Sequence, residues 1–291
     1  MNYLSKFRKD HCIDSKANLS DIKVSVESVF EANKIAWDFI ANIDNKTEKD
    51  GFITHTHLNL IGRIFEQVEG MLTCIVNKCP TSSEALGRNV IEGSVNLMYI
   101  ACLGNEKTIA AFFSSWLTEH TRKLSEWKEK IQCKEYSEKV GSMINARLSA
   151  MEGYKWYVDL IVNNFSLDIS DFSQAWPKSI YKRFEALDME ESYYENYHRL
   201  SGSSHLTAED TIAWLIALQV SDEQKHRLAE EAWAYSIMMS RLSCVFFVNA
   251  VAACCITHGM EDEENIKKLK AIRKNLHISA MEISKAAGVP E

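Results

Sequence analysis

Three prolines in 291 residues are the tightest constraint on what this chain can fold into. A fold of many short strands needs frequent turns, and turns draw on proline and glycine. Pro80, Pro177 and Pro290, with eleven glycines, are too few to supply them. Long helices are what remains. The apolar residues agree, since Ile22, Val26, Val29, Phe30, Trp37 and Ile40 recur at helical spacing after a possible cap at Ser20. The spacing predicts helices near 22–43, 53–78, 82–104, 105–130, 135–164, 177–200, 208–219, 222–257 and 261–286. The expected fold is all-α, a multi-helix bundle of about eight to nine helices with no sheet. Residues 1–50 read as an N-terminal helical extension and 51–291 as the main helical domain.

Local signals place several helix starts. Thr81 and Glu84 form a Thr-x-x-Glu capping box for the third helix, Asn105 can cap the fourth, and Thr207 with Asp210 caps the helix from 208. Pro177 suits a first helical position. The stretch SLDISDFSQAW just before it breaks the periodicity and is the best linker candidate. The fourth helix turns from apolar (IAAFFSSWL) to charged (TEHTRKLSEWKEK), so its second half is expected to project into solvent. In the last helix acids precede bases, as the helix macrodipole favours, and its basic run reads as a solvated face.

Charge and cysteine usage narrow the function. Forty acidic against thirty-three basic side chains give a net charge of −7. No general attraction to nucleic acid or anionic membrane follows, and any contact with RNA would be local. The eight cysteines are scattered, without the paired spacing of zinc sites and with no secretory signal read ahead of them. They are expected to be reduced core thiols of a cytoplasmic protein. The apolar run at 242–257 contains Ser243 and Asn249 and falls short of the roughly 20 residues a membrane span needs, so a buried helix is expected.

Two segments carry candidate chemistry. In the third helix Arg88, Glu92 and Asn96 follow one another at i+4, which puts all three on one face opposite Val90, Val95, Leu97 and Met98. Burying a guanidinium and a carboxylate costs several kcal/mol unless they are paired, so the stripe is either a structural network or a site. The second segment is YHRLSGSSH, residues 197–205. Here Tyr197 and Ser201 share a helical face, Gly202 can break the helix, and His205 lies just ahead of the Thr207 cap. Arg199 offers a forked donor for phosphate oxygens, and an imidazole can move protons near neutral pH. Arg199 and His205 together are the minimum for cleaving RNA without a metal, the 2'-hydroxyl attacking the neighbouring phosphate.

Metal readings are weaker. Glu195-x-x-His198 and Glu223-x-x-His226 copy the pair used in helical di-iron bundles, with Glu66, Glu69 or Glu92 as possible further ligands. The second pair sits in the polar stretch SDEQKHRLAEE. His55 and His57 are two apart, which is not a same-face helical spacing. No metal site and no cofactor is expected.

RNVIEGSVNLMYI and YHRLSGSSH together resemble an Arg-x3-Glu helix and a Tyr-x3-Ser-x3-His segment of an all-helical bacterial family of unknown function, over about residues 50–258. The resemblance implies that Arg88, Glu92, Tyr197, Ser201 and His205 wall one pocket. Separately, Arg199-x5-His205 resembles the Arg-x4-6-His signature of HEPN proteins, all-helical dimeric ribonucleases common in bacterial toxin and antiphage systems. That resemblance implies metal-independent RNA cleavage in a cleft between two subunits. Leu200 departs from it, because the residue after the Arg is usually polar.

The sequence therefore points to a homodimeric endoribonuclease of a defence or toxin system, with RNA and a partner protein of that system as its contacts and no membrane. His205 would be the acid and base, Arg199 the clamp, Arg88 with Glu92 an ordering pair, and Ser201 with Tyr197 would fix the loop. The rival expectation is a non-catalytic binding or sensor protein holding a small anion or partner peptide in the same pocket; a di-iron carboxylate protein is the third.

Overall fold

The computed structural model describes residues 2–132, 134, 137–170, 172–201 and 208–288. Among the described residues twelve helices run in the order α1 (Tyr3–Asp10), α2 (Ser20–Ile40), α3 (Glu48–Val76), α4 (Pro80–Leu103), α5 (Glu106–Ile131), α6 (Ser137–Asn164), α7 (Phe172–Ala175), α8 (Ile180–Ala186), α9 (Glu190–Ser192), α10 (Ala208–Ala217), α11 (Asp222–Thr257) and α12 (Glu263–Ala286). A π-helical segment, Tyr193–His198, continues α9. No strand occurs among the described residues. The all-α class is as expected, but the count exceeds eight to nine because Tyr3–Asp10 forms a helix of its own, Phe172–Ala175 adds a turn of helix in the expected linker, and the helix expected at 177–200 is cut into short pieces. One cut is the turn at Asp188, whose φ of 55° lies in the left-handed region.

Helix starts follow capping chemistry, with two corrections. The helix predicted from 53 begins at Glu48, because Thr47 and Asp50 form a reciprocal capping box that the apolar periodicity does not reveal. The Thr81–Glu84 box does not form. Proline at N1 is already set for helical φ, so α4 starts at Pro80 and Thr81 falls inside it. Glu84 instead accepts a hydrogen bond from the Ser236 hydroxyl on α11. Asn105 caps α5 as expected, accepting from the amides of Lys107 and Thr108. Pro177 precedes α8 rather than opening it, and the helix begins after Ser179. The Thr207 cap lies outside the described residues.

The main core is built by α2, α3, α4, α11 and α12, with Phe7 of α1 fully buried in it. α11 runs through its centre. By length and composition it could span a bilayer, yet 72% of its most apolar window is buried in the fold, so protein rather than lipid covers that face. Phe247, Val251 and Cys254 are 0% exposed there. Burial of a side chain the size of Phe247 contributes about 2–3 kcal/mol. Arg241 ties three elements at this centre. Its guanidinium donates to the carbonyls of Ser279 (2.7 Å) and Asp21 (3.2 Å), so backbone oxygens offset its burial.

Two smaller cores flank the first. The charged half of α5 does leave the main body, but α6 accompanies it, and Leu117, Leu124, Ile131, Ile144 and Met151 form a separate seam between them. The expected linker is packed as well. Trp176 joins Tyr99, Ile100 and Ile109 in a third cluster, since an indole can be buried where an aspartate-rich loop cannot. Seven cysteines are described, all free thiols. Cys244, Cys254 and Cys255 are core residues as expected, whereas Cys12, Cys79 and Cys102 are exposed.

At the end of α11, His258 Nε2 meets His57 Nδ1 of α3 at 3.0 Å. His57 is buried, and its Nε2 has no hydrogen-bond partner among the described residues. Burial, and then the neighbouring imidazole, push His57 down to about 4, and burial lowers His258 as well. The folded protein holds His57 neutral, whereas the unfolded chain protonates it below about 6.5. Its contribution is therefore complete above pH 6.5 and is lost as pH falls towards 4. Urea unfolding between pH 7 and 4 should show roughly 3 kcal/mol of lost stability from this group, and His57→Gln should flatten that slope. An unchanged slope in the variant would refute the assignment.

Candidate functional site

The site is assembled on α4 by a close helix approach. Gly87 faces α11 so tightly that a Cβ there would fall 2.9 Å from Ser243 Oγ and 3.4 Å from Met71 Sδ. Leu200 Cδ1 would be 3.7 Å away, and Leu200 is fully buried. The residue that departs from the HEPN pattern is thus the anchor of its segment. With Leu200 inserted, its neighbour Arg199 is left on the surface.

The segment that carries Tyr197 crosses α4 as a π-helix, a wider coil found mostly as short insertions and often at functional sites. Aromatic contacts hold it there. Phe184 of α8 meets Tyr193 (5.5 Å between ring centres), Tyr197 (6.0 Å) and Phe246 of α11 (6.1 Å). Tyr197 is then buried over the α4 stripe.

Three of the sequence-predicted residues meet at this crossing. Tyr197 donates its hydroxyl proton to Glu92 Oε2 (2.7 Å) and accepts from Arg88 Nη2 (3.0 Å). The Arg88 guanidinium carbon lies 4.7 Å from the centre of the same ring. Burial, then the Glu92 hydrogen bond, push the Tyr197 phenol up to about 12, so it stays protonated and donating at neutral pH.

The remaining predicted residues stand apart from this triad. Asn96 is half-buried, and its Oδ1 has no partner among the described residues. Arg199 is exposed, with its guanidinium carbon 5.6 Å from the centre of the Tyr235 ring. Ser201 ends the described segment, half-buried. His205 lies outside the described residues.

Three contributors were not read from the sequence. Arg183 of α8 is buried, stacks 4.5 Å over Trp176 and donates to the Pro177 carbonyl (2.5 Å). Burial lowers its pKa, and the charge of Glu92 partly offsets this, so the guanidinium lies within electrostatic reach of the network's carboxylate. Tyr235 supports Arg199 from α11. Neither spacing nor composition marks Arg183, Trp176 and Tyr235, because they come from α8, from the stretch between α7 and α8, and from α11.

Among the described residues no group of three or more His, Cys, Asp or Glu side chains is placed to hold a metal ion. The two Glu-x-x-His pairs are not gathered into a carboxylate site there. His226 is exposed and pairs with Glu230 at 3.2 Å.

The fold and this crossing define an all-helical protein with a partly buried Arg–Tyr–Glu network between two segments distant in sequence. Residues 55–218 match the Family of unknown function (DUF5677), more than half of the chain, and the chain belongs to that family. The match spans Arg88, Glu92, Tyr197, Arg199 and His205 and leaves out α1, α2, α11 and α12. No curated protein and no solved structure matches the chain.

Tyr197 holds both partners of the network with one hydroxyl. Tyr197→Phe should lower unfolding stability by about 1–3 kcal/mol in urea titrations, since Glu92 and Arg88 each lose a hydrogen bond in a partly buried setting. Stability equal to wild type would mean that water replaces the hydroxyl at no cost.

Proposed function

We propose that the protein is a metal-independent endoribonuclease of a bacterial defence or toxin system, with Arg199 as the phosphate clamp and His205 as acid and base. The observation that carries this reading is the state of Arg199. It is exposed, supported by an aromatic ring, and engaged by no carboxylate among the described residues. A guanidinium held so keeps its forked donors for an anion, and phosphate oxygens match that fork. In the reaction the 2'-oxygen bonds to phosphorus and the bond to the next nucleotide's 5'-oxygen breaks. The products are a 2',3'-cyclic phosphate and a 5'-hydroxyl. One imidazole would take the 2'-hydroxyl proton and a second would protonate the leaving oxygen, which is the use a dimer has for two copies of His205. The network of Arg88, Tyr197 and Glu92 would act by fixing the segment that presents both groups.

Dimerisation is part of the proposal. α10 follows His205 closely, and its Ile212, Trp214, Leu215 and Ile216 are between 49% and 62% exposed. Apolar side chains clustered this way mark a contact surface. We propose a second copy as the partner. Light scattering after gel filtration should give twice the 33.2 kDa chain mass. Trp214→Glu should shift the protein to monomer, and a monomeric wild type would remove this element.

A second reading, a binding or sensor protein for a small anion, is favoured by the two guanidiniums close to the crossing, Arg88 on the Tyr197 hydroxyl and Arg183 within electrostatic reach of Glu92 and Tyr197. RNA cleavage in EDTA separates the two. Total RNA and tRNA should be cut by wild type to cyclic-phosphate ends, with at least about a hundredfold loss in Arg199→Ala and His205→Ala. Absence of cleavage, or cleavage that both variants retain, would leave the binding reading.

A further inference from the structure

Away from the Arg199 surface, the first half of α3, the start of α5 and the end of α6 border an open cleft of about 620 Å³. That volume lies within the range typical of small-molecule sites. Its apolar walls include four aromatic rings, Phe52, Phe113, Phe165 and Tyr157, and two carboxamides, Asn59 and Asn164, join them. Phe52 packs against Phe113 (6.3 Å, nearly edge-on) and Phe165 (5.5 Å), so the rings form a braced wall rather than loose side chains. Both asparagines are exposed, and neither has a hydrogen-bond partner among the described residues.

This combination selects a ligand class. Ring walls favour a flat π-system, and a carboxamide carries a donor and an acceptor side by side, which matches the edge of a nucleobase. A fatty chain would make no use of either amide. A phosphate would meet Glu48, the one carboxylate in the lining, while the nearby Lys49 is already held by Glu106 at 3.0 Å. We propose that the cleft binds a nucleobase, presented either by a free nucleoside or by a single strand.

The surface beside the cleft bears on the second source. Trp116 of α5 stacks on His120 (5.3 Å, 17° between planes) and meets Tyr154 of α6 edge-on at 5.5 Å. Trp116, Tyr154 and Tyr157 are each about half exposed, and Tyr154 and Tyr157 are neighbours at i, i+3 on α6. Aromatic side chains in series are what successive unpaired bases stack on. The α5–α6 hairpin thus extends the cleft into a platform, and the inference stands whether or not Arg199 cleaves RNA.

Calorimetric titration of the full chain with adenosine, guanosine, cytidine and uridine, and with short single-stranded DNA that lacks a 2'-hydroxyl, tests it. At least one nucleoside should bind saturably, and Asn59→Ala and Asn164→Ala should each weaken it about tenfold. Both positions are solvent-exposed, so these variants keep the fold. A strand that binds more tightly than its nucleosides, and that Tyr154→Ala loosens, identifies the strand as the source. Equal affinities and an indifferent Tyr154→Ala identify the nucleoside. No saturable binding of either up to roughly 5 mM, or asparagine variants that bind like wild type, overturns the proposal.

Discussion

The close approach of α4 to α11 at Gly87 is the constraint on which both the core and the candidate site depend. No side chain larger than hydrogen fits between that backbone and Ser243 Oγ without displacement. Because the helices come this near, Met71 of α3 and Leu200 pack into the same junction. Ser243 satisfies its own hydroxyl by donating to the Met239 carbonyl one turn back, so a polar atom can sit at the contact without an unmet hydrogen bond. Arg88 follows Gly87 and Arg199 precedes Leu200, so two arginines from segments over a hundred residues apart leave one packing point in different directions.

Burial divides the polar groups around that point. Arg88 and Glu92 are each hydrogen-bonded to the Tyr197 hydroxyl and Arg183 to backbone, which offsets the desolvation that would otherwise penalise them. Groups so engaged hold shape. Arg199 has solvent on one side and the Tyr235 ring on the other. The proposed division of labour, a buried network that positions and an exposed guanidinium that binds, follows from this contrast. The cleft at the base of the α5–α6 hairpin is made by different helices and a different chemistry, chiefly aromatic rings and neutral amides, with Glu48 as its one carboxylate.

Much of the architecture was legible along the chain. Apolar periodicity located the long helices, because a helix that must bury one face repeats its apolar residues every three or four positions. It failed where short-range chemistry competed. Pro80 displaced the Thr81 cap, Thr47 and Asp50 extended α3 beyond its apolar pattern, and the one helix expected at 177–200 formed two short helices and a π segment. Trp176, placed in an expected linker, became a core residue. The α4 stripe was legible as well, since i+4 spacing within one helix fixes which side chains share a face. That Tyr197 would close over Arg88 and Glu92 was foreshadowed only by resemblance.

The sequence by itself determined the helical class, the central apolar helix and the polar stripe on α4, all of which depend on interactions within a few residues of chain. Tertiary structure alone decided that Arg183 stacks on Trp176 beside the network, that Tyr235 carries Arg199, and that His57 meets His258 across two hundred residues. It also decided that three helices leave an aromatic cleft between them. Those juxtapositions depend on how close helices approach and at what rotation, and these are set by the volumes of side chains such as Gly87 and Leu200 at the contact, which no local pattern records.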